Sequence, residues 1–178
     1  AEAHKGNKNE AVASLTKATQ ICFDQPLPWL GLADYYTNNG DEACAIATLQ
    51  AAAQAIPDNP EILRRLGEIY IRRYSYTQAH EVLATANQLE PDNPVISLNF
   101  AITLRQLGHL DAAHDVLSKA FLANPEDEKI TLAFAKTLID LGRYQQALPH
   151  LESLLSDGLI GQPGPYITYA QVLLLLWE

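Results

Sequence analysis

The chain has 178 residues, of which 48% are hydrophobic and 19% charged, so it can bury a sizeable core in one domain or an elongated array. Its formal net charge of −9 argues against nucleic acid, whose phosphates attract basic surfaces, and against an anionic membrane surface. Cys22 and Cys44 lack zinc-ligand spacing and imply neither a disulfide framework nor a metal site, whether they pair or stay free.

A 34-residue period organises the chain. The segment IPDNPEI at 56–62 returns as EPDNPVI at 90–96, so Pro57 and Pro91 are 34 positions apart. In chain order, the period predicts one array: a second helix of a partial repeat at 1–25, repeats at 26–59, 60–93, 94–127 and 128–162, and the first helix of a truncated repeat at 163–178. An irregular loop is expected at 156–165, where three glycines and two prolines replace the tight turn.

The residue types that recur within each repeat predict a helical hairpin. Positions 4, 7, 8 and 11 of the repeat are mostly apolar or small, and their spacing places them on one face of a first helix. Positions 20, 24 and 27 are also apolar or small and lie on one face of a second helix. Position 15 is glycine in three repeats and Tyr74 in the other, where glycine suits a turn with positive φ. In PDNP the first proline ends a helix, asparagine caps the next and the second proline suits its first turn.

This pattern resembles the tetratricopeptide repeat (TPR) family. The resemblance is carried by the W-x2-L-A-x2-Y of residues 29–36, by alanine at 45, 79, 113 and 147, and by proline at 57, 91 and 125. It implies an all-α, right-handed solenoid of antiparallel helical hairpins, in which the first helix of each hairpin lines a concave groove.

The resemblance also implies which residues face that groove. The partner-binding residues expected there are Arg64, Arg65, Glu68, Arg72, Leu98, Asn99, Ile102, Arg105, Lys129, Leu132 and Lys136. Six of them are basic in an acidic chain, which favours an acidic or carboxylate-bearing protein or peptide partner, with apolar pockets between the charges. The alternative interpretation is that Arg64, Glu68 and Arg72, spaced four apart, are a solvated series of ion pairs.

One TPR subgroup clamps the terminal carboxylate of chaperone tails. Asn99 and Lys129 match its pattern and Arg64 keeps the charge. Glu68 would repel a carboxylate, and Ala133 lacks the expected guanidinium, so the sequence departs from a chaperone clamp at two of its five positions.

The chain carries no recognisable catalytic or cofactor motif. The histidines at 4, 80, 109, 114 and 150 are the candidates for chemistry, but His109 and His114 are five apart rather than the four that put two ligands on one helical face. There is no P-loop, G-x-G-x-x-G or nucleophile elbow, and GQPGP at 161–165 is interpreted as a loop. Neither a metal nor a cofactor is expected.

The predicted function is a non-catalytic scaffold that binds an extended peptide or partner helix in its groove. Alternatives are a recruitment module of a larger enzyme, such as a glycosyltransferase or sulfotransferase, and an assembly subunit that self-associates through its terminal helices. YITYAQVLLLLW near the end is too short to span a membrane. No signal segment opens the sequence, so the cytoplasm is the default compartment, with the periplasm left open.

Overall fold

The computed structural model describes residues 2–156 and 163–177, and every regular element within these ranges is an α-helix. The ten helices are α1 (Glu2–Ile21), α2 (Pro26–Asn38), α3 (Glu42–Ala55), α4 (Pro60–Arg72), α5 (Tyr76–Leu89), α6 (Pro94–Gln106), α7 (Leu110–Ala123), α8 (Glu128–Asp140), α9 (Tyr144–Ser156) and α10 (Pro163–Trp177). The all-α class and the succession of short hairpins agree with the sequence prediction, and the division into repeats stays a prediction.

Side-chain caps fix where the first helices begin. The Asn59 side chain accepts a hydrogen bond from the Ile62 backbone N–H at 3.0 Å, and Asn93 accepts one from the Ile96 N–H at 3.3 Å. Asp127 does the same at α8, where it accepts from the Ile130 N–H at 3.1 Å. These bonds satisfy backbone donors that have no partner inside the helix. The predicted role of PDNP as a helix boundary is confirmed.

The turn inside each hairpin uses a left-handed residue at repeat position 15. Gly40, Gly108 and Gly142 have φ of +78°, +80° and +72°. Tyr74 takes the same conformation with φ of +57° although it carries a side chain. The hairpin geometry therefore dictates the backbone conformation at this position, and in the second hairpin a non-glycine residue bears its steric cost.

The chain divides into two compact units, residues 1–89 and residues 90–178. In the first, helices α1 to α5 each pack on the next. In the second, α6 to α10 do the same, and α8 also contacts α6 and α10. The core of each unit comes from the predicted apolar positions: the alanines at 45, 79, 113 and 147 are all fully buried.

Small residues set the distance between the two helices of a hairpin. At repeat position 8, Ala101 and Ala135 are fully buried, and the corresponding residue of α4 is Gly67. A Cβ on Gly67 would lie 2.5 Å from Cγ of Leu83, itself fully buried on α5. Helices α4 and α5 thus approach so closely that only glycine fits between them.

One local expectation near the C-terminal end of the array is wrong. Ser156 ends α9, and 163–165 form the start of α10 rather than part of a loop. Proline is tolerated in a first helical turn because its missing N–H would have had no partner there. Residues 157–162 of the expected loop lie outside the described residues.

Helix α10 keeps one apolar face exposed. Pro165, Thr168 and Val172 are buried, whereas Tyr166 and Leu173 are 48% and 46% exposed. Tyr166 and Leu173 occupy repeat positions 4 and 11, and the residues at these positions of α8 are buried. None of the helices within the described ranges is long and apolar enough to cross a membrane.

Candidate functional site

The predicted groove residues of the first unit form an ion-pair network on α4. The Arg64 guanidinium contacts Glu61 at 2.6 Å and also pairs with Glu68. Arg65 donates to the same Glu61 carboxylate at 3.1 Å. The hydrogen bond from Arg64 is the main cause that lowers the pKa of Glu61, and the bond to Glu61 in turn raises the pKa of Arg64. The positive charge of Arg64 is thus already paired with two carboxylates of its own helix.

Two further pairs tie α4 to neighbouring helices. Arg65 reaches Asp34 of α2 at 3.3 Å, and Arg72 reaches Glu42 of α3 at 3.1 Å. Arg72 thus forms an ion pair with another helix, so a simple i,i+4 series describes only part of the network. The cavity beside these side chains measures only about 20 Å³.

The first unit consequently does not present the basic strip that the sequence suggested. The three arginines at 64, 65 and 72 face four carboxylates, those of Asp34, Glu42, Glu61 and Glu68, which leaves one net negative charge. The acids come from neighbouring turns of α4 and from positions about one repeat away. Asp34 and Arg65 are 31 residues apart, and Glu42 and Arg72 are 30 apart. Both separations are close to the 34-residue period, and this was the signal in the sequence that could have indicated the pairs.

The second unit places its predicted residues on α6 and α8. Arg105 of α6 forms a two-pronged contact with Asp140 of α8, from Nε at 2.9 Å and Nη2 at 2.5 Å. Lys129 is exposed and Lys136 half-buried, and within the described part of the chain neither forms an ion pair. These two ammonium groups are the predicted cations that keep their charge available.

Apolar and amide groups accompany the lysines. Leu98 and Leu132 are half-buried and pack against the core of the second unit. Asn99 and Ile102 of α6 are also half-buried. The predicted mixture of cations, amide and partly exposed apolar side chains is thus present on the first helices of this unit. Ala133, the position where a chaperone clamp needs a guanidinium, is buried.

Aromatic rings surround two of the histidines of the second unit. His150 and Phe121 meet edge to face at 4.9 Å between ring centroids, and Phe134 lies 5.2 Å from His150 and 5.5 Å from His114. Burial lowers the pKa of His150. His4 precedes the residues whose side chains the structure describes. No group of three or more His, Cys, Asp and Glu suited to a metal occurs in the described portion of the chain, and Cys22 and Cys44 are free thiols.

Asp41 and Cys44 interact at the start of α3. The Asp41 carboxylate accepts a hydrogen bond from the Cys44 backbone N–H at 3.0 Å, which lowers the pKa of Asp41. A hydrogen bond to the Asp41 carboxylate raises the pKa of the Cys44 thiol, which favours its protonated form. Asp41 is thus the N-cap of α3.

Comparison with known proteins identifies the family. Two sequence models described as tetratricopeptide repeat match the chain, one at residues 26–69 and the other at 72–133 and 104–159. No curated protein matches at a significant level.

Solved structures share the fold. YrrB, a TPR protein with an unusual peptide-binding site, is 17% identical, with 91% of this chain and 83% of that chain covered and a TM-score of 0.77. PilF of Pseudomonas aeruginosa is 19% identical, covers 98% and 79%, and has a TM-score of 0.79. MamA AMB-1 is 25% identical, covers 89% and 88%, and has a TM-score of 0.71. With its 34-residue period and its buried alanine positions, the chain belongs to the tetratricopeptide repeat family.

Proposed function

We propose that the chain is a non-catalytic scaffold that binds an extended peptide or a partner helix on the first-helix faces of its repeats. The TPR fold is generally a protein–protein interaction scaffold, and the chain belongs to that family. The observation that carries the proposal is the α6–α8 face, where Lys129 and Lys136 retain free charge beside the half-buried Leu132. A desolvated apolar contact flanked by cations is a common way to bind a short acidic segment.

The two units have different roles in this proposal. In the first unit, an incoming carboxylate would have to displace Glu61 or Glu68 from Arg64. In the second, an acidic partner meets lysines without such competitors. We therefore assign recognition of acidic groups to Lys129 and Lys136, with Asn99 and Leu98 contributing adjacent contacts. Arg64, Arg65, Glu68 and Arg72 contribute a polar surface on the first unit, and Arg105 orders the boundary between α6 and α8.

The test is charge reversal of the two lysines. Lys129→Glu with Lys136→Glu should remove most binding of partners captured from lysate and identified by mass spectrometry. The matched control is Lys17→Glu with Lys119→Glu, two exposed lysines on α1 and α7, which changes the net charge equally. Circular dichroism verifies that both variants fold. Equal capture by both double variants would show that the α6–α8 face is not the site.

Self-association through the terminal helices is a second candidate, favoured by the exposed apolar face of α10. Leu174, which follows Leu173 on α10, is also exposed, at 70%. Such a face is stabilised by a further helix laid against it. Light scattering over a range of concentrations tests the idea with Leu173→Gln and Leu174→Gln together. A wild-type chain that stays monomeric at high concentration contradicts it.

A further inference from the structure

A second groove lies in the first unit, between the second helices α3 and α5 and above α4. It consists of two cavities of about 420 and 230 Å³, which share the lining residues Gln50, Tyr70 and Gln78. Leu63 and Leu66 of α4 supply its apolar floor. By comparison, the cavity on the first-helix face of the same unit measures about 20 Å³.

This groove is on the other side of α4 from the arginine network. Leu63, Leu66 and Tyr70 are spaced by three and four residues and share one stripe of the helix. Arg65, Glu68 and Arg72 have the same spacing, and each lies two positions after the corresponding apolar residue. They form a second stripe along the helix. Because each residue of an α-helix turns by about 100°, the two stripes are about 200° apart. A ligand in the groove would therefore not contact the arginine network.

The groove walls offer amide groups. Gln50, Gln54 and Gln78 line it, and each primary amide can both donate and accept hydrogen bonds. The Gln50 amide N–H donates to the Tyr70 hydroxyl at 2.9 Å, which holds α3 against α4 and leaves the second N–H and the oxygen of Gln50 for other partners. Amide side chains over an apolar floor match an extended peptide, whose main chain alternates N–H and C=O while its side chains need apolar contact.

Opposite charges mark the two parts of the groove. Arg73 lines the smaller cavity and Glu81 the larger one. Among the residues described, neither forms an ion pair, in contrast to Arg64, Arg65 and Arg72. The groove thus has a cation in one of its two cavities and an anion in the other, which gives a bound peptide a preferred direction.

We propose that the groove between α3 and α5 binds an extended peptide that carries an acidic residue where it meets Arg73 and a basic residue where it meets Glu81. This site is separate from the first-helix faces, so one TPR chain could hold two partners at once. A partner with a segment for each site would bind more tightly than either segment alone, because binding of one segment raises the local concentration of the other.

The test uses a synthetic library of 12-residue peptides built from Ala, Ser, Gln and Val, with one Asp and one Lys near opposite ends. Both orders of the two charges are included, together with uncharged peptides. We expect the wild-type chain to prefer one order about tenfold in Kd, measured by fluorescence polarisation, because only one order pairs both charges. The double reversal Arg73→Glu with Glu81→Arg should switch that preference to the other order.

A blocking variant provides the second readout. Gln78→Trp places a bulky ring where the two cavities meet and should weaken the selected peptide at least about tenfold. Gln88→Trp, at an exposed site on the same helix outside both cavities, is the matched control and should bind like wild type. The absence of any retained peptide, an unchanged preference in the charge-reversed variant, or full affinity of Gln78→Trp would each overturn the proposal. Lys129→Glu with Lys136→Glu should leave this binding intact, so failure here is distinct from failure of the α6–α8 site.

Discussion

Hairpins α4–α5 and α8–α9, one from each unit, follow the same repeat pattern but satisfy it with different residues. At the close helix contact, α4 has Gly67 and α8 has Ala135. At the turn, α4–α5 has Tyr74 and α8–α9 has Gly142. Their exposed faces differ as well: the arginines of α4 are paired, whereas the lysines of α8 form no ion pair with any residue that the structure describes. The repeat thus constrains residue size and backbone conformation at a few positions and leaves surface charge free to vary.

The contact between the two helices of a hairpin gives the largest expected difference in stability between α4–α5 and α8–α9. Gly67→Ala should lower the free energy of unfolding of the first unit by about 3 kcal/mol, because the new Cβ would lie 2.5 Å from the buried Leu83. The reciprocal change Ala135→Gly should cost only about 1 kcal/mol, mainly through helix propensity. Urea unfolding measures both, and Trp29 fluorescence in a Trp177→Phe background reports on the first unit alone.

Leu83→Ala supplies the control for this contact. Combined with Gly67→Ala, it should show a favourable coupling energy in a double-mutant cycle, since the smaller side chain makes room for the new Cβ. Additive effects of the two changes would contradict a direct clash between the helices.

A change at the turn residue is expected to have an intermediate effect on stability, and this effect is stabilising instead of destabilising. Tyr74→Gly should raise the free energy of unfolding by up to about 1 kcal/mol, because it relieves a left-handed conformation, although part of that gain is offset by the flexibility of glycine in the unfolded chain. Thermal unfolding followed by circular dichroism measures it. Tyr74→Ala also removes the ring contact with Tyr76 but keeps a Cβ, so it should not stabilise the chain. A gain from the alanine variant would assign the effect to the side chain instead of to φ.

The smallest expected effect depends on pH and is confined to the second unit. Burial lowers the pKa of His150 in the folded state below its ordinary value of 6.5, so between these values the unfolded chain binds more protons. Stability should therefore fall as the pH drops through this window, by less than ~1 kcal/mol because the ring is only partly buried. The equivalent residue of α5 is Val82, which cannot titrate.

Unfolding midpoints at pH 7.5 and 5.5 test this for wild type and His150→Phe. The phenylalanine variant should lose the part of the pH dependence that His150 contributes. Glu126 and Glu128 line the same 240 Å³ cavity as His150. If their carboxylates cancelled the effect of burial on its pKa, wild type and variant would show the same slope, which would contradict the prediction.

Most of the fold could be predicted from sequence because the signals are local or strictly periodic. The position of Ala79 at a helix contact follows from the period, and the cap by Asn59 follows from a tetrapeptide. The candidate site could be predicted only as a set of residues on first helices. That Arg72 pairs with Glu42 on another helix depends on side-chain reach across a packed interface, which residue type and position within the repeat do not specify.

The sequence by itself determined the helical hairpins, the 34-residue period and the residues that face the core, since helix periodicity and turn chemistry act over a few neighbouring positions. Only the tertiary structure decided that the arginines of α4 are neutralised and that, among the described residues, Lys129 and Lys136 have no ion-pair partner. It also decided that Arg73 and Glu81 share a groove with three glutamines. The physical reason is that the availability of a charge depends on which opposite charges packing brings within about 4 Å, and helices distant in sequence supply many of these.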